Sequence, residues 1–259
     1  MARYQVTLAY DGTHFYGFQR QEERARTVQA EVEAALRRIG WQDRTILAAG
    51  RTDTGVHASG QVIAFDFDWR HSPEALGRAM NSNLPSDVAV RAIAVARDDF
   101  HPRYDATART YRYQIFCEAE RDPLRERYSW RVWPAVDCDL LQSAARLLTG
   151  THDFAAFGSP PREQGSTIRT VYRAGWRMLA GGLQLEITAN AFLYHMVRRL
   201  VFWSVLAGQR MLSLQAFEHA IEAAQPQTPG LAPPQGLNLY QVCYSLDGLK
   251  SEVTKSDEI

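Results

Sequence analysis

The order in which the hydrophobic periods change is the strongest constraint on how this 259-residue chain can fold. Tyr4 to Tyr10 alternates apolar and polar side chains, as a strand with one buried face does. Thr27 to Ile39 switches to helical spacing, with Thr27 placed to cap the first turn and Gly40 to stop the last. A short strand ends near Ala49, and alternation resumes over Gln61 to Trp69. Ser72-Pro-Glu opens a helix to about Asn81, its proline in the first turn. Val88 to Ala96 reads as a fourth strand. The order is strand, helix, strand, strand, helix, strand.

The second half repeats that order. Ala108 to Phe116 is a strand with Tyr111 and Tyr113 on one face, and Asp137 to Leu148 is a helix capped by Asp137 or Asp139. Val171–Leu179 and Leu183–Thr188 flank Gly181-Gly182, a hairpin signature. An apolar helix over Ala191–Ala207, another at about Leu214–Ala224 and a strand over Leu237–Tyr244 complete it, the last after a proline-rich connection (Pro226, Pro229, Pro233, Pro234). Each β-α-β-β-α-β set is a ferredoxin-like unit. The expected fold is therefore α+β, with two pseudo-symmetric ferredoxin-like halves, a mixed, mainly antiparallel sheet and helices on one face. Residues 1–103 and 104–247 are the expected halves, joined near Asp98–Ala106, and 248–259 is a polar, frayed tail. The letters themselves show no repeat; the duplication rests on element order.

Composition removes several function classes. Cys117, Cys138 and Cys243 are far apart and odd in number, so neither a disulfide framework nor a zinc site is indicated, and a reducing cytoplasm fits. The N-terminal MARYQVTLAYDG has no apolar signal core. Ala191–Ala207 carries His195, Arg198 and Arg199, which favours a buried helix over a membrane span. Net charge is zero, against a strongly basic nucleic-acid protein, yet all but Lys250 and Lys255 of the 29 basic residues are arginine. Arginine's planar fork suits phosphate, but GC-rich coding explains most of such an excess.

The stretch AAGRTDTGVHASGQVIAF, Ala48 to Phe65, sets a single carboxylate, Asp53, between Arg51 and His57. Read alone, Asp53 before Thr-Gly is a turn residue that bonds its own backbone. A metal pair with His57 needs further ligands, and none stands at ligand spacing. No G-x-S-x-G, Walker or Rossmann pattern occurs. Arg51 lies close enough in sequence to keep Asp53 ionised, and a permanently charged carboxylate suits nucleophilic or base work.

Gly50-Arg-Thr-Asp-Thr-Gly-Val-His-Ala58 resembles the active-site loop of the TruA-type tRNA pseudouridine synthases, usually G-R-T-D-A-G-V-H. The likeness continues through Tyr10-Asp-Gly-Thr-His-Phe-Tyr-Gly-Phe-Gln19, Thr27-Val-Gln29, Asn81-Ser-Asn-Leu-Pro85 and Phe100-His-Pro-Arg-Tyr104. It extends to Ala106-Thr-Ala-Arg-Thr-Tyr-Arg-Tyr113, His152-Asp-Phe-x-x-Phe157, Asn190-Ala-Phe-Leu-Tyr-His-Met-Val-Arg198 and Gly236-Leu-Asn-Leu239. Any one tripeptide is weak; these blocks in family order across about 230 residues are not a chance match. Thr54 departs from the usual alanine and adds a hydroxyl able to bond the loop backbone. Phe202 stands where that helix usually carries glycine, which bears on packing more than on chemistry.

The resemblance implies isomerisation of uridine to pseudouridine at tRNA positions 38 to 40 in the anticodon stem-loop, by a homodimer, with an active-site cleft between the halves. It makes Asp53 the catalytic aspartate, Arg198 its cationic partner, Tyr111 the residue stacked on the target base, Arg51 a contact to nucleic acid and Leu237 a further substrate-binding residue. No metal and no cofactor are implied, since nothing is gained or lost in the reaction. The helix composition adds an argument of its own. Phe192, Leu193, Met196, Val197, Leu200, Val201, Trp203 and Val205 leave little polar circumference, so an arginine within it meets an acceptor or lies at a cavity edge. Alternatively, Arg198 or Arg199 reaches solvent or a structural carboxylate. Tyr113 reads as core, and His57 and His101 as packing residues. Arg20, Arg24, Arg26, Arg78, Arg103, Arg109 and Arg112 are candidates for a phosphate surface, though most of them are better read as solvated side chains. The competing expectations are a non-catalytic RNA-binding protein on the same scaffold and a glycoside hydrolase, which would need a second carboxylate nearby.

Overall fold

In the computed structural model the described residues are 1–21, 25–160, 162, 164–225 and 230–245. The expected tail, Arg24, Pro226 and Pro229 lie outside them. Among the described residues, ten strands and five α-helices make this a mixed α+β protein with mainly antiparallel pairing, as the element order implies. Two compact units divide it: Met1–Thr107 with the chain from Asn238 onward, and Ala108–Leu237.

In the first unit β1 (Ala2–Tyr10) leads to α1 (Val28–Arg38). The Thr27 side chain accepts the Ala30 amide at its start, and Gly40 adopts φ +99° at its end. Val28, Val32, Ala35 and Leu36 form the buried stripe. β2 (Leu47–Ala48) lies beside β3 (His57–Phe67), α2 (Pro73–Asn81) starts on a Ser72 cap, and β4 (Val88–Val95) follows. β1 is antiparallel to both β3 and β4, with Tyr4 opposite Phe65 and Val95. β3 begins four residues before the expected Gln61. The small residues Ala58, Ser59 and Gly60 break the apolar alternation, but their backbone pairs, with Tyr10 opposite Ala58.

A buried carboxylate anchors α1. Glu33 is fully buried, and its oxygens accept from Arg20 at 2.5 Å, Gln29 at 2.9 Å, the Thr45 hydroxyl at 3.1 Å and the Ile46 amide at 3.3 Å. Such an anion is tolerable inside only because it is paired and bonded on both oxygens. Arg20 is 42 % exposed and can turn to water, which moderates the loss. Glu33→Gln is therefore expected to cost about 2 kcal/mol, a melting temperature lower by roughly 4–8 °C in a thermal scan.

The second unit starts with β5 (Ala108–Phe116), whose partners are β6 (Trp130–Arg131) in parallel and β9 (Gly182–Ala189) in antiparallel pairing. Between them in sequence lie α3 (Cys138–Leu147), β7 (Gly150–Asp153) and β8 (Ile168–Leu179). Asp137 caps α3 by accepting the Asp139 and Leu140 amides. In the β8–β9 hairpin Leu179 pairs with Gly182, so the two-residue turn is Ala180-Gly181, with Gly181 at φ +87° and Gly182 already in the strand.

α4 (Met196–Gly208) starts five residues later than its apolar run suggests, and α5 (Leu214–Ala223) starts on the Ser213 cap. Residues 190–195 bond elsewhere: Asn190 Oδ1 accepts the Thr170 and Ala191 amides, the Tyr194 amide donates to Ser159, and His195 turns to φ +63°. Apolarity marks burial there, and the backbone bonds rule out helix. Phe202 has found its room. Its ring stacks at 9° on Trp130, and a Cβ on Gly230 would strike it. β10 (Leu237–Cys243) runs parallel to β3 in the first unit, Asn238 opposite His57, and Gly60 allows the close approach because a Cβ there would meet the Tyr240 carbonyl.

Candidate active site

The first unit holds Arg51 and Asp53 in a loop fixed mainly through its backbone. Gly50 carbonyl accepts the Gln61 side chain at 2.9 Å, the Ala49 amide donates to Val62, and the Thr52 carbonyl accepts the Phe18 amide at 3.0 Å. The Asp53 carbonyl closes a turn on the Val56 amide at 3.1 Å, with Gly55 at φ +77° as the turn requires. Asp53 therefore stands at a turn closed through its own carbonyl, half-buried, with Arg51 and Thr54 exposed. Among the described residues the Thr54 hydroxyl makes no hydrogen bond, so the extra group does not serve the loop backbone.

The other wall of this loop is the segment after β1, which sequence reading did not connect to it. Gly12 abuts Val56, and Gly17, at φ +84°, comes so close that a Cβ would lie 2.8 Å from the Thr52 carbonyl oxygen. The Gly12 amide donates to His57 Nδ1 at 3.0 Å, and Asp11 Oδ1 lies 3.2 Å from the same nitrogen. His57 thus joins the loop's end to the segment after β1, as a packing residue does. His101 likewise accepts the Arg103 amide. The only advance signal was the glycine pair in YDGTHFYGF.

The second unit holds Tyr111, Arg198 and Leu237. Tyr111 on β5 is half-buried, opposite Ile187, with its ring edge-on to Phe192 at 5.0 Å. Two residues on, Tyr113 is fully buried, its hydroxyl donates to the Pro233 carbonyl at 2.7 Å, and Gly236 packs on its ring. Burial pushes the Tyr113 hydroxyl well above the ordinary tyrosine range, while the Arg198 charge pulls it down. Arg198 Nε donates to the Ala232 carbonyl at 2.7 Å, and the Ala232 amide returns to the Arg198 carbonyl at 3.3 Å. The guanidinium is thereby held by one edge at the start of α4. Leu237, 6 % exposed, follows the short turn Pro234–Gly236.

Four of the arginines considered for phosphate are engaged by the protein itself. Arg20 pairs with Glu33, Arg26 grips Asp87 at 2.7 and 2.9 Å, Arg112 bonds Glu186 at 2.8 Å, and Arg109 donates to the Asn190 carbonyl. Arg78 is exposed. Among the described residues no three His, Cys, Asp or Glu side chains gather as a metal site needs, and no helix is long and apolar enough to cross a membrane.

Asp53 thus stands on a turn of the first unit, and Tyr111 and Arg198 stand on β5 and α4 of the second. A sequence profile described as tRNA pseudouridine synthase matches residues 7–105 and 144–245, and the chain belongs to that family. It is 40% identical over 245 residues to tRNA pseudouridine synthase A of Geobacillus sp. (strain WCH70), covering 93% of this chain and 98% of that protein. The proteins of the same name from Neisseria meningitidis serogroup B (37%, 93% and 92% covered) and Pseudothermotoga lettingae (38%, 93% and 99%) are similar throughout.

Proposed function

We propose that this protein converts uridine to pseudouridine at positions 38 to 40 in the anticodon stem-loop of tRNA. In that reaction the N1–C1′ bond breaks, the uracil turns, C5 joins C1′, and the proton lost from C5 is matched by one gained at N1. Asp53 supplies the carboxylate, attacking C1′ or the base or removing the 2′ proton. Arg198 is the cation that offsets its charge away from water. Tyr111 stacks on the extruded base, Leu237 packs in the pocket, and Arg51 meets the backbone. The observation that carries the reading is the loop itself: the Gly50, Thr52 and Asp53 carbonyls and the Gly55 and Val56 amides are bonded, so the Asp53 side chain leaves from a braced turn, as preorganised catalysis requires. We further propose that it acts as a cytoplasmic homodimer, in keeping with the family resemblance and the scattered cysteines.

The test is an unmodified tRNA transcript incubated with purified protein and mapped for pseudouridine. Isomerisation at 38 to 40 without added metal or cofactor is expected. Binding without isomerisation would favour the non-catalytic RNA-binding reading, and loss of turnover on chelation would require a metal. Tyr111→Leu is expected to keep the melting temperature and lower kcat/KM about 5- to 150-fold, the span of about 1–3 kcal/mol of base stacking; unchanged kinetics would remove the stacking role.

A further inference from the structure

Tyr10 is the last residue of β1 and is paired on both sides, to Ala58 on β3 and to Val88 on β4. Its ring is 5 % exposed and rests near Phe18 at 6.3 Å, so the phenol oxygen has a fixed address. That oxygen lies 2.8 Å from the hydroxyl of Thr52, itself 7 % exposed and the residue immediately before Asp53. The Thr52 carbonyl is independently tied to the Phe18 amide. Threonine's branched Cβ allows few rotamers, and the hydroxyl bond selects one of them.

We propose that Tyr10 and Thr52 are positioning residues that set where the Asp53 carboxylate points, an inference that rests on the assignment of Asp53 above. The hydroxyl ties the Thr52 side chain to the end of β1 and the carbonyl ties its backbone to Phe18 in the segment that follows, so the Cα of Asp53 inherits its position from both. Without the phenol, the Thr52 hydroxyl is left buried and unsatisfied, and the loop turns to find it another partner. The corner that bears Asp53 moves with it. A role in stability alone makes a different prediction: the protein melts earlier, but the molecules that remain folded turn over normally.

The experiment measures kcat, KM for a tRNA transcript and melting temperature for Tyr10→Phe, Thr52→Val, the double variant and Thr52→Ser, assayed far below their melting points. Tyr10→Phe and Thr52→Val are each expected to lower kcat about 10- to 100-fold, as a misplacement near 1 Å does, with KM within about twofold. The double variant should fall no further than the weaker single, since both remove one interaction. Thr52→Ser, which keeps the hydroxyl, should restore kcat to within about fivefold of the parent. An unchanged kcat in either single variant, or losses that multiply in the double, overturns the proposal. Asp53→Asn run alongside separates the two assignments. If it is inactive while Tyr10→Phe is normal, only the positioning role falls; if it is fully active, the Asp53 assignment falls and takes this proposal with it.

Discussion

Asp53→Asn is expected to stay folded, bind tRNA and form pseudouridine at least about a hundredfold more slowly. Asparagine has the same shape but can neither attack carbon nor take a proton. A general base contributes roughly 10²- to 10⁴-fold, so that role leaves a slow residual rate. A nucleophile that forms a covalent intermediate leaves none. Single-turnover kinetics on a defined transcript distinguish the two, each factor of ten being about 1.4 kcal/mol of barrier. The melting temperature should move little, because the backbone bonds at the Thr52 and Asp53 carbonyls survive the replacement. Removing one negative charge also lessens repulsion from phosphate, so tRNA affinity should hold or rise. Turnover at the parent rate would reject the carboxylate mechanism outright.

What the sequence revealed follows from how local each signal is. Helix ends marked by their own caps, at Thr27, Ser72 and Asp137, fall where those residues place them. The starts of β3 and α4 do not, because they are decided by partners distant in sequence. His57 pairs with Asn238, and the amide of Tyr194 goes to Ser159. Strands as short as Trp130–Arg131 and Gly150–Asp153 carry too few residues to show a period. The same division runs through the site. The motif around Asp53 was legible as a string of residues, and its turn was legible from Asp-Thr-Gly. The frame that holds it was not, since Tyr10 meets Thr52 across 42 positions and Gly12 meets His57 across 45. Arg26 and Arg112 read as free cations for the same reason: their carboxylates, Asp87 and Glu186, lie 61 and 74 residues away.

That hidden frame makes Gly12 the next most sensitive position, and a second glycine shows why. Gly12 does not need an unusual backbone angle; it needs the absence of a Cβ, which would run into the Val56 carbonyl oxygen and lie 3.0 Å from the Val56 nitrogen. No flexible side-chain end stands there to yield, so the loop or β1's extension must move. Gly12→Ala is expected to cost about 2 kcal/mol, roughly 4–8 °C, by overpacking. Its kcat should fall on the order of a hundredfold, because the displaced segment donates to His57 and abuts the turn that carries Asp53. Gly40→Ala supplies the contrast. Its φ is +99° with nothing within 4 Å of a new Cβ, so backbone strain of about 1 kcal/mol is the whole effect and turnover should not change. Melting and single-turnover rates measured together then give a stability loss without a rate loss at position 40, and both at position 12. If Gly12→Ala melts early yet reacts at the parent rate, the chemistry does not depend on where the first strand holds the loop, and the rigid corner is architecture alone.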